Sequence, residues 1–194
     1  MKTYAAIVLA AGASKRLGKP KQLLPYKEST LLNHTITELL KLQNVDVYVV
    51  LGAYADAILL TIHKLKVTPL IHSGWEDGMG SSLAFGMKAI THKNYDGVLV
   101  SLSDLPFVKT GHYQKLLADF EQQKSIVITD YKNFSGVPCV IPSQYFSELQ
   151  NLTGDEGAKL VIQKHKKEVS KVNSETPYFD VDTDESYEQL LRLS

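Results

Sequence analysis

Residues 4–11, Tyr-Ala-Ala-Ile-Val-Leu-Ala-Ala, form an unbroken apolar run of strand length that stops at Gly12. No polar residue alternates along it, so both of its faces need cover. A strand of that kind belongs in the middle of a parallel sheet with helices on either side, which commits the chain to an α/β architecture. A loop of small and basic residues follows: Ala13, Ser14, Lys15, Arg16, Gly18, Lys19 and Lys21. Gly12 has no Cβ and tolerates positive φ, so backbone N–H groups can approach a ligand there and form a concavity for an anion. Arg16 adds a planar fork of donors and Lys21 a point charge. The stretch reads as a buried strand opening into a phosphate-binding loop. The alternative is an ordinary turn with solvated cations.

Two familiar phosphate loops are excluded. Five residues separate Gly12 from Gly18, and Pro20 follows Lys19, which does not fit the P-loop spacing. The dinucleotide pattern GxGxxG fails because position 14 is Ser14.

The rest of the chain repeats the alternation. Leu32, Ile36, Leu39 and Leu40 recur at helical spacing behind a candidate N-cap, Thr30. A strand is expected over 45–51, a helix near 54–64 and a short strand near 67–71. Residues 72–87, HSGWEDGMGSSLAFGM, place three glycines among residues 74–80, a loop that feeds a helix. Leu83, Met87 and Ile90 form its buried stripe, with Ser81 or Ser82 as either cap or ligand contact. A strand over 96–102 ends in SLSDLPFV, so Asp104 sits just past its carboxyl end. It can be a turn residue before Pro106, or a ligand for Mg²⁺, which takes oxygen donors and often only one or two carboxylates. Thr110 is the expected cap of a helix burying Tyr113, Leu116, Leu117 and Phe120. A strand over 125–129, an apolar stretch at 139–141 and a helix over 143–152 follow. The last segment, YFDVDTDESYEQLL, reads as a short strand entering a helix that buries Tyr187, Leu190 and Leu191. Asp182 and Glu185 have capping-box spacing.

At 194 residues with no evident linker, the expectation is one domain, 1–194. A net charge of zero argues against a broad surface for nucleic acid or anionic membrane. Cys139 is the single cysteine, so no internal disulfide forms, which suits a reducing cytoplasm. No signal-peptide pattern or membrane-length apolar run is visible, and a cytoplasmic location is expected. The histidines show no metal-ligand or Ser-His-Asp arrangement.

The loop resembles the signature of nucleotidyltransferases that act on the molybdenum cofactor, within the nucleotide-sugar transferase superfamily. Leu9, Ala10, Ala11, Gly12, Ser14, Arg16, Gly18 and Lys21 all match it. Four further segments fall in the family's order. They are Trp75 to Ser82, Asp104-Leu105-Pro106, Gly136-Val137-Pro138, and Gly154-Asp155 with Lys159 in place of the usual Arg. The Asp180-Val181-Asp182 ending also corresponds, without the family's following proline.

The resemblance implies a three-layer α/β/α sandwich with a Rossmann-like, mostly parallel sheet, the nucleotide-diphospho-sugar transferase fold. It implies Mg²⁺-dependent transfer of CMP from a nucleoside triphosphate to the phosphate of a molybdopterin-type acceptor. CTP is favoured over GTP because Ala11 stands where the GTP-using branch has glycine. Arg16, Lys21 and Asp104 are then the catalytic residues. The nucleotide sits on Leu9 to Gly12, Ser14, Arg16, Lys21, Gly80, Ser81 and Ser82. The acceptor sits on Gly136, Pro138, Gly154 and Asp155, and the metal on Asp104 with Asp180 or Asp182. A molybdoenzyme or its chaperone is the expected recipient. Alternatives are transfer to a sugar or alcohol phosphate, and a flavin- or nicotinamide-dependent reductase of the same family.

Overall fold

The computed structural model describes residues 2–193. Its strands are β1 (Tyr4–Ala10), β2 (Pro25–Tyr26), β3 (Ser29–Thr30), β4 (Val45–Leu51), β5 (Thr68–Ile71), β6 (Gly97–Leu102), β7 (Ile126–Asp130), β8 (Ser135–Pro142) and β9 (Val169–Asn173). Its helices are α1 (Leu31–Leu40), α2 (Ala55–Ile62), α3 (Met79–Ala89), α4 (Thr110–Gln123), α5 (Phe146–Gln150), α6 (Lys159–Lys164) and α7 (Asp184–Arg192). Seven strands form one sheet in the order β5-β4-β1-β6-β8-β7-β9, and β2 pairs with β3 in a small separate ribbon. Within the sheet β8 alone runs against its neighbours β6 and β7, so the sheet is mostly parallel.

The central strand is buried along its whole length, as its composition requires. Its residues alternate between the two faces of the sheet. Tyr4, Ala6, Val8 and Ala10 pack with α1, α2 and α4, while Ala5, Ile7 and Leu9 pack with α3, α5 and α6. That is the three-layer sandwich. A third, smaller core joins Leu17, Leu24, Tyr26 and Leu31 to Val181 and Leu190. It ties the C-terminal segment and α7 onto the turn that follows β1.

Several local expectations are corrected. Neither Ser81 nor Ser82 caps α3, because the helix starts earlier, at Met79 behind Gly78. Ser81 Oγ instead meets His72 Nε2 at 2.9 Å, and Ser82 is buried. Lys109 rather than Thr110 is the N-cap of α4, because Thr110 Oγ1 is drawn away to donate to Glu38. The capping box of α7 is formed by Thr183 and Ser186, leaving Asp182 free for other contacts. The short strand expected just before α7 is not formed over 178–183. Only Leu190 of its three expected core residues is fully buried, and Leu191 is exposed. The helix expected over 143–152 is a 3-10 turn at Ser143–Tyr145 followed by the short α5. Thr30 does cap α1, accepting from the Asn33 amide.

Candidate active site

The parallel strands deliver their carboxyl ends to one edge of the sheet, the usual place for ligands in such folds. A cavity of about 510 Å³ opens there. The turn after β1 forms one wall, with Leu9 to Gly12, Lys15, Arg16 and Lys21 among its lining. Trp75, Glu76, Gly78, Met79 and Ser82 approach from the segment after β5. Asp104 comes from the end of β6, and Tyr178, Asp180 and Asp182 from the segment after β9.

The turn itself is built differently from the expectation. Its left-handed residues are Ser14 (φ 50) and Gly18 (φ 67), not Gly12. The Ser14 carbonyl accepts from the amides of Leu17 and Gly18, and its hydroxyl accepts from the Lys21 amide at 3.2 Å. Ser14 therefore shapes the turn and fixes the base of Lys21. A Cβ added at Gly12 would meet nothing within 4 Å, so that position leaves open space instead of a forced bend. Among the described residues, the amides of Gly12 through Arg16 donate to no backbone carbonyl. Gln22 is 1% exposed, and its amide donates to the carbonyls of Ala10 and Gly12, both at 2.9 Å, bracing the strand-to-loop junction. Nothing in the sequence pattern marked Gln22.

The charged groups converge across the cavity. Lys21 Nζ donates to Asp104 Oδ2 at 2.5 Å and to Asp182 Oδ1 at 2.7 Å. Arg16 Nη2 donates to Asp182 Oδ2 at 2.6 Å. Val181 is fully buried in the third core, which fixes Asp180 and Asp182 on either side of it at the cavity. Tyr178, also not singled out by the sequence, donates its hydroxyl to Asp180 at 3.2 Å.

Burial sets the electrostatics. It pushes the Asp104 carboxyl above the usual carboxylate range, with Lys21 pulling the other way. Burial also works against the Lys21 ammonium, but Asp104 and then Asp182 outweigh it and hold its pKa above the ordinary value. For Asp182 burial is outweighed by Lys21 and Arg16, and the carboxyl is held low. The Tyr178 hydroxyl is pushed up, first by burial and then by Asp180 and Asp104, so it stays protonated.

The other expected site residues fall into two groups. Asp155 lines the cavity. Gly154 and Gly80 stand just behind the lining: the Gly80 amide donates to the Gly154 carbonyl at 2.6 Å. A Cβ at Gly80 would come within 2.6 Å of the Thr153 carbonyl, so glycine is what lets α3 dock on this loop. Gly136 and Pro138 lie on β8 outside the lining, with the Pro138 carbonyl accepting from Thr129 Oγ1 at 2.7 Å. Cys139 is buried in the core, its thiol pushed up to about 12 by burial.

Oxygen donors alone face the cavity from Asp104, Asp180 and Asp182, the chemistry of a hard divalent cation. Among the described residues no three such groups close into a ready-made cation cage.

A mostly parallel sheet with a Gly-rich turn and converging carboxylates over one cleft is the architecture of a nucleotidyltransferase. The comparisons narrow it: residues 6–169 match the MobA-like NTP transferase domain, and the chain belongs to that family. Nicotine blue oxidoreductase of Paenarthrobacter nicotinovorans is 31% identical over 96% of this chain and 94% of its own. The purine catabolism protein PucB of Bacillus subtilis is 25% identical over 96% and 95%. The crystal structure of Rv0371c from Mycobacterium tuberculosis superposes with a TM-score of 0.88 at 28% identity, covering 98% of each chain. A further structure of Rv0371c is a complex with manganese, with a TM-score of 0.84 at 25% identity and the same coverage. No helix among the described residues is long and apolar enough to cross a membrane.

Proposed function

We propose that this nucleotidyltransferase moves CMP from CTP to the phosphate of a molybdopterin-type acceptor and releases pyrophosphate. The observation that carries the reading is the meeting of Lys21 with Asp104 and Asp182 opposite the open turn at Gly12. The unpaired amides of that turn, with Arg16 and Lys21, suit the β- and γ-phosphates of a triphosphate. Leu9 to Gly12 and Ser82 line the space left for the nucleoside, while Gly80 and Ser81 fall outside that lining and the Ser81 hydroxyl meets His72.

An acceptor phosphate has a second pKa near 6, so at neutral pH it is largely dianionic and needs no base to deprotonate it. One of its oxygens forms a bond to the α-phosphorus, and the bond from that phosphorus to the bridging oxygen of pyrophosphate breaks. The obstacle is repulsion between two anions. Asp104 with Asp180 or Asp182 would hold Mg²⁺, which when bound offsets negative charge on the phosphates. Lys21 and Arg16 add fixed positive charge, and the turn holds the triphosphate in position. This is catalysis by positioning and electrostatics. The manganese complex of Rv0371c supports a divalent ion in this family.

Ala11 carries the preference for CTP. It lines the cavity where the GTP-using branch carries glycine, and a methyl group in place of hydrogen there would leave less room for a purine. Recipient of the product would be a molybdoenzyme or its chaperone. The test is pyrophosphate release with CTP, Mg²⁺ and molybdenum cofactor, run beside GTP. CTP-dependent release is the expected result. Release with GTP alone would reverse the nucleotide assignment, and release only with sugar phosphates would replace the acceptor. The name of the oxidoreductase relative supports a second reading, a reductase. Oxidation of a reduced nicotinamide by the purified protein, with no pyrophosphate from any triphosphate, would establish that reading instead.

A further inference from the structure

Tyr178, which lines the cleft, belongs to a cluster of three aromatic rings. Because β7 runs parallel to β9 and antiparallel to β8, the turn joining β7 to β8 emerges at the same sheet edge as the carboxyl ends of β1 and β6. In the sheet order it lies beyond β6, opposite the side where β4 and β5 stand. The turn carries Phe134, and the segment after β9 brings Tyr178 against it. Their ring centroids are 4.7 Å apart, and Tyr131 completes the cluster at 5.3 Å from Tyr178 and 6.2 Å from Phe134.

The three rings are not equivalent. Tyr131 is buried at 6% exposure, and Tyr178 lines the cavity beside Asp180. Phe134 is 45% exposed, an apolar ring outside the cavity lining that packs against Tyr178, which lines it. Its place depends on Gly136, where an added Cβ would lie 2.9 Å from the Phe134 Cζ. Gly136 thus gives the ring room to lie over the strand.

We infer that Phe134, backed by Tyr178 and seated over Gly136, is a stacking platform that positions a planar ring of the acceptor. This rests on the nucleotidyltransferase reading, in which the triphosphate occupies the Gly12 side and leaves the β7–β9 side to the acceptor. Offset or edge-on contact between rings gains more than burial alone, and a ring held at Tyr178 leaves its phosphate arm reaching toward Asp180 and Asp104. A sugar or open-chain alcohol phosphate offers no such face, so Phe134 would select the class of acceptor without touching the reacting atoms.

The experiment uses 6-hydroxymethylpterin monophosphate, a fluorescent probe, titrated into the full chain with Phe134→Ala, Phe134→Tyr and Gly136→Ala beside it. CTP affinity in Mg²⁺ is measured on each variant to establish an intact fold. Wild type and Phe134→Tyr should quench the probe and bind it alike. Phe134→Ala should bind it about tenfold more weakly, the measure of one lost ring contact, with CTP binding unchanged. Gly136→Ala should weaken the probe as well. Ribose 5-phosphate, which has no flat ring, should not distinguish wild type from Phe134→Ala. Equal probe affinity in wild type and Phe134→Ala, or no binding to either, overturns the platform. Absence of pyrophosphate release with every acceptor would overturn the transferase reading instead, and probe stacking is measured without turnover, so the two failures are separable.

Discussion

Replacing Lys21 with methionine tests how the cleft is held together. The ammonium sits between Asp104, whose side chain is 5% exposed, and Asp182, at 27%. Arg16 still covers Asp182 in the variant, but Asp104 loses its only ion-pair partner among the described residues. Leaving a buried charge unpaired costs about 3–5 kcal/mol. Asp104 lines an open cleft that water can enter, so the low end, about 3 kcal/mol, is expected. For a chain of 194 residues this lowers Tm by roughly 6–12 °C, taking about 2–4 °C per kcal/mol. Asp104→Asn removes the charge instead of its partner. In the double variant the methionine then costs much less, which gives a coupling of about 2 kcal/mol. The assay is urea unfolding followed by circular dichroism at pH 7 for the wild type, both single variants and the double. A Lys21→Met cost within about 0.5 kcal/mol, the range of ordinary surface changes, would refute the argument. So would additive single effects.

Other consequences are equally open to measurement. Gly80→Ala drives a Cβ into the Thr153 carbonyl and should cost about 1–3 kcal/mol by chemical denaturation; a silent substitution would mean that α3 does not dock there. His34 is held low, at about 4, first by burial and then by Lys109. Its folded pKa lies below its unfolded one, so its contribution is full above pH 6.5 and is lost as pH falls from about 6.5 to about 4. The loss should be at most about 3 kcal/mol and absent from His34→Gln, read from unfolding curves across that window. Cys139 should be inert to a thiol reagent in the folded chain and react at once in urea, because its thiol is buried and pushed up to about 12.

Much of the fold was legible because burial on both faces leaves a mark in composition. The run at 4–11 had no polar alternation, and β1 is buried throughout. Asp104 was legible for a related reason: an apolar run that ends in a carboxylate before a proline puts that charge at a strand's carboxyl end. The misread caps share one cause. Thr110 and Ser81 look like helix starts locally, yet Glu38 and His72 claim their hydroxyls through contacts between distant segments. Asp182 matched a capping box with Glu185, but the box closes one residue later through Thr183 and Ser186. The aromatic cluster could not be read at all. Phe134 and Tyr178 are separated by β8, α5, α6 and β9 in the chain, and only the sheet order brings them together. Gly136 gave no sign in the sequence of the Phe134 ring that lies over it, because that contact depends on how the β7–β8 turn folds back on the strand.

The central claim is that a triphosphate lies between the Gly12 turn and carboxylates that need a divalent ion to accept it. Calorimetric titration of CTP into the wild type and Asp104→Asn, each with and without Mg²⁺, tests it most directly. The wild type should bind at least about tenfold more tightly with Mg²⁺, a gain of about 1.4 kcal/mol, and Asp104→Asn should lose that gain. The same Mg²⁺ dependence in both proteins would contradict the account.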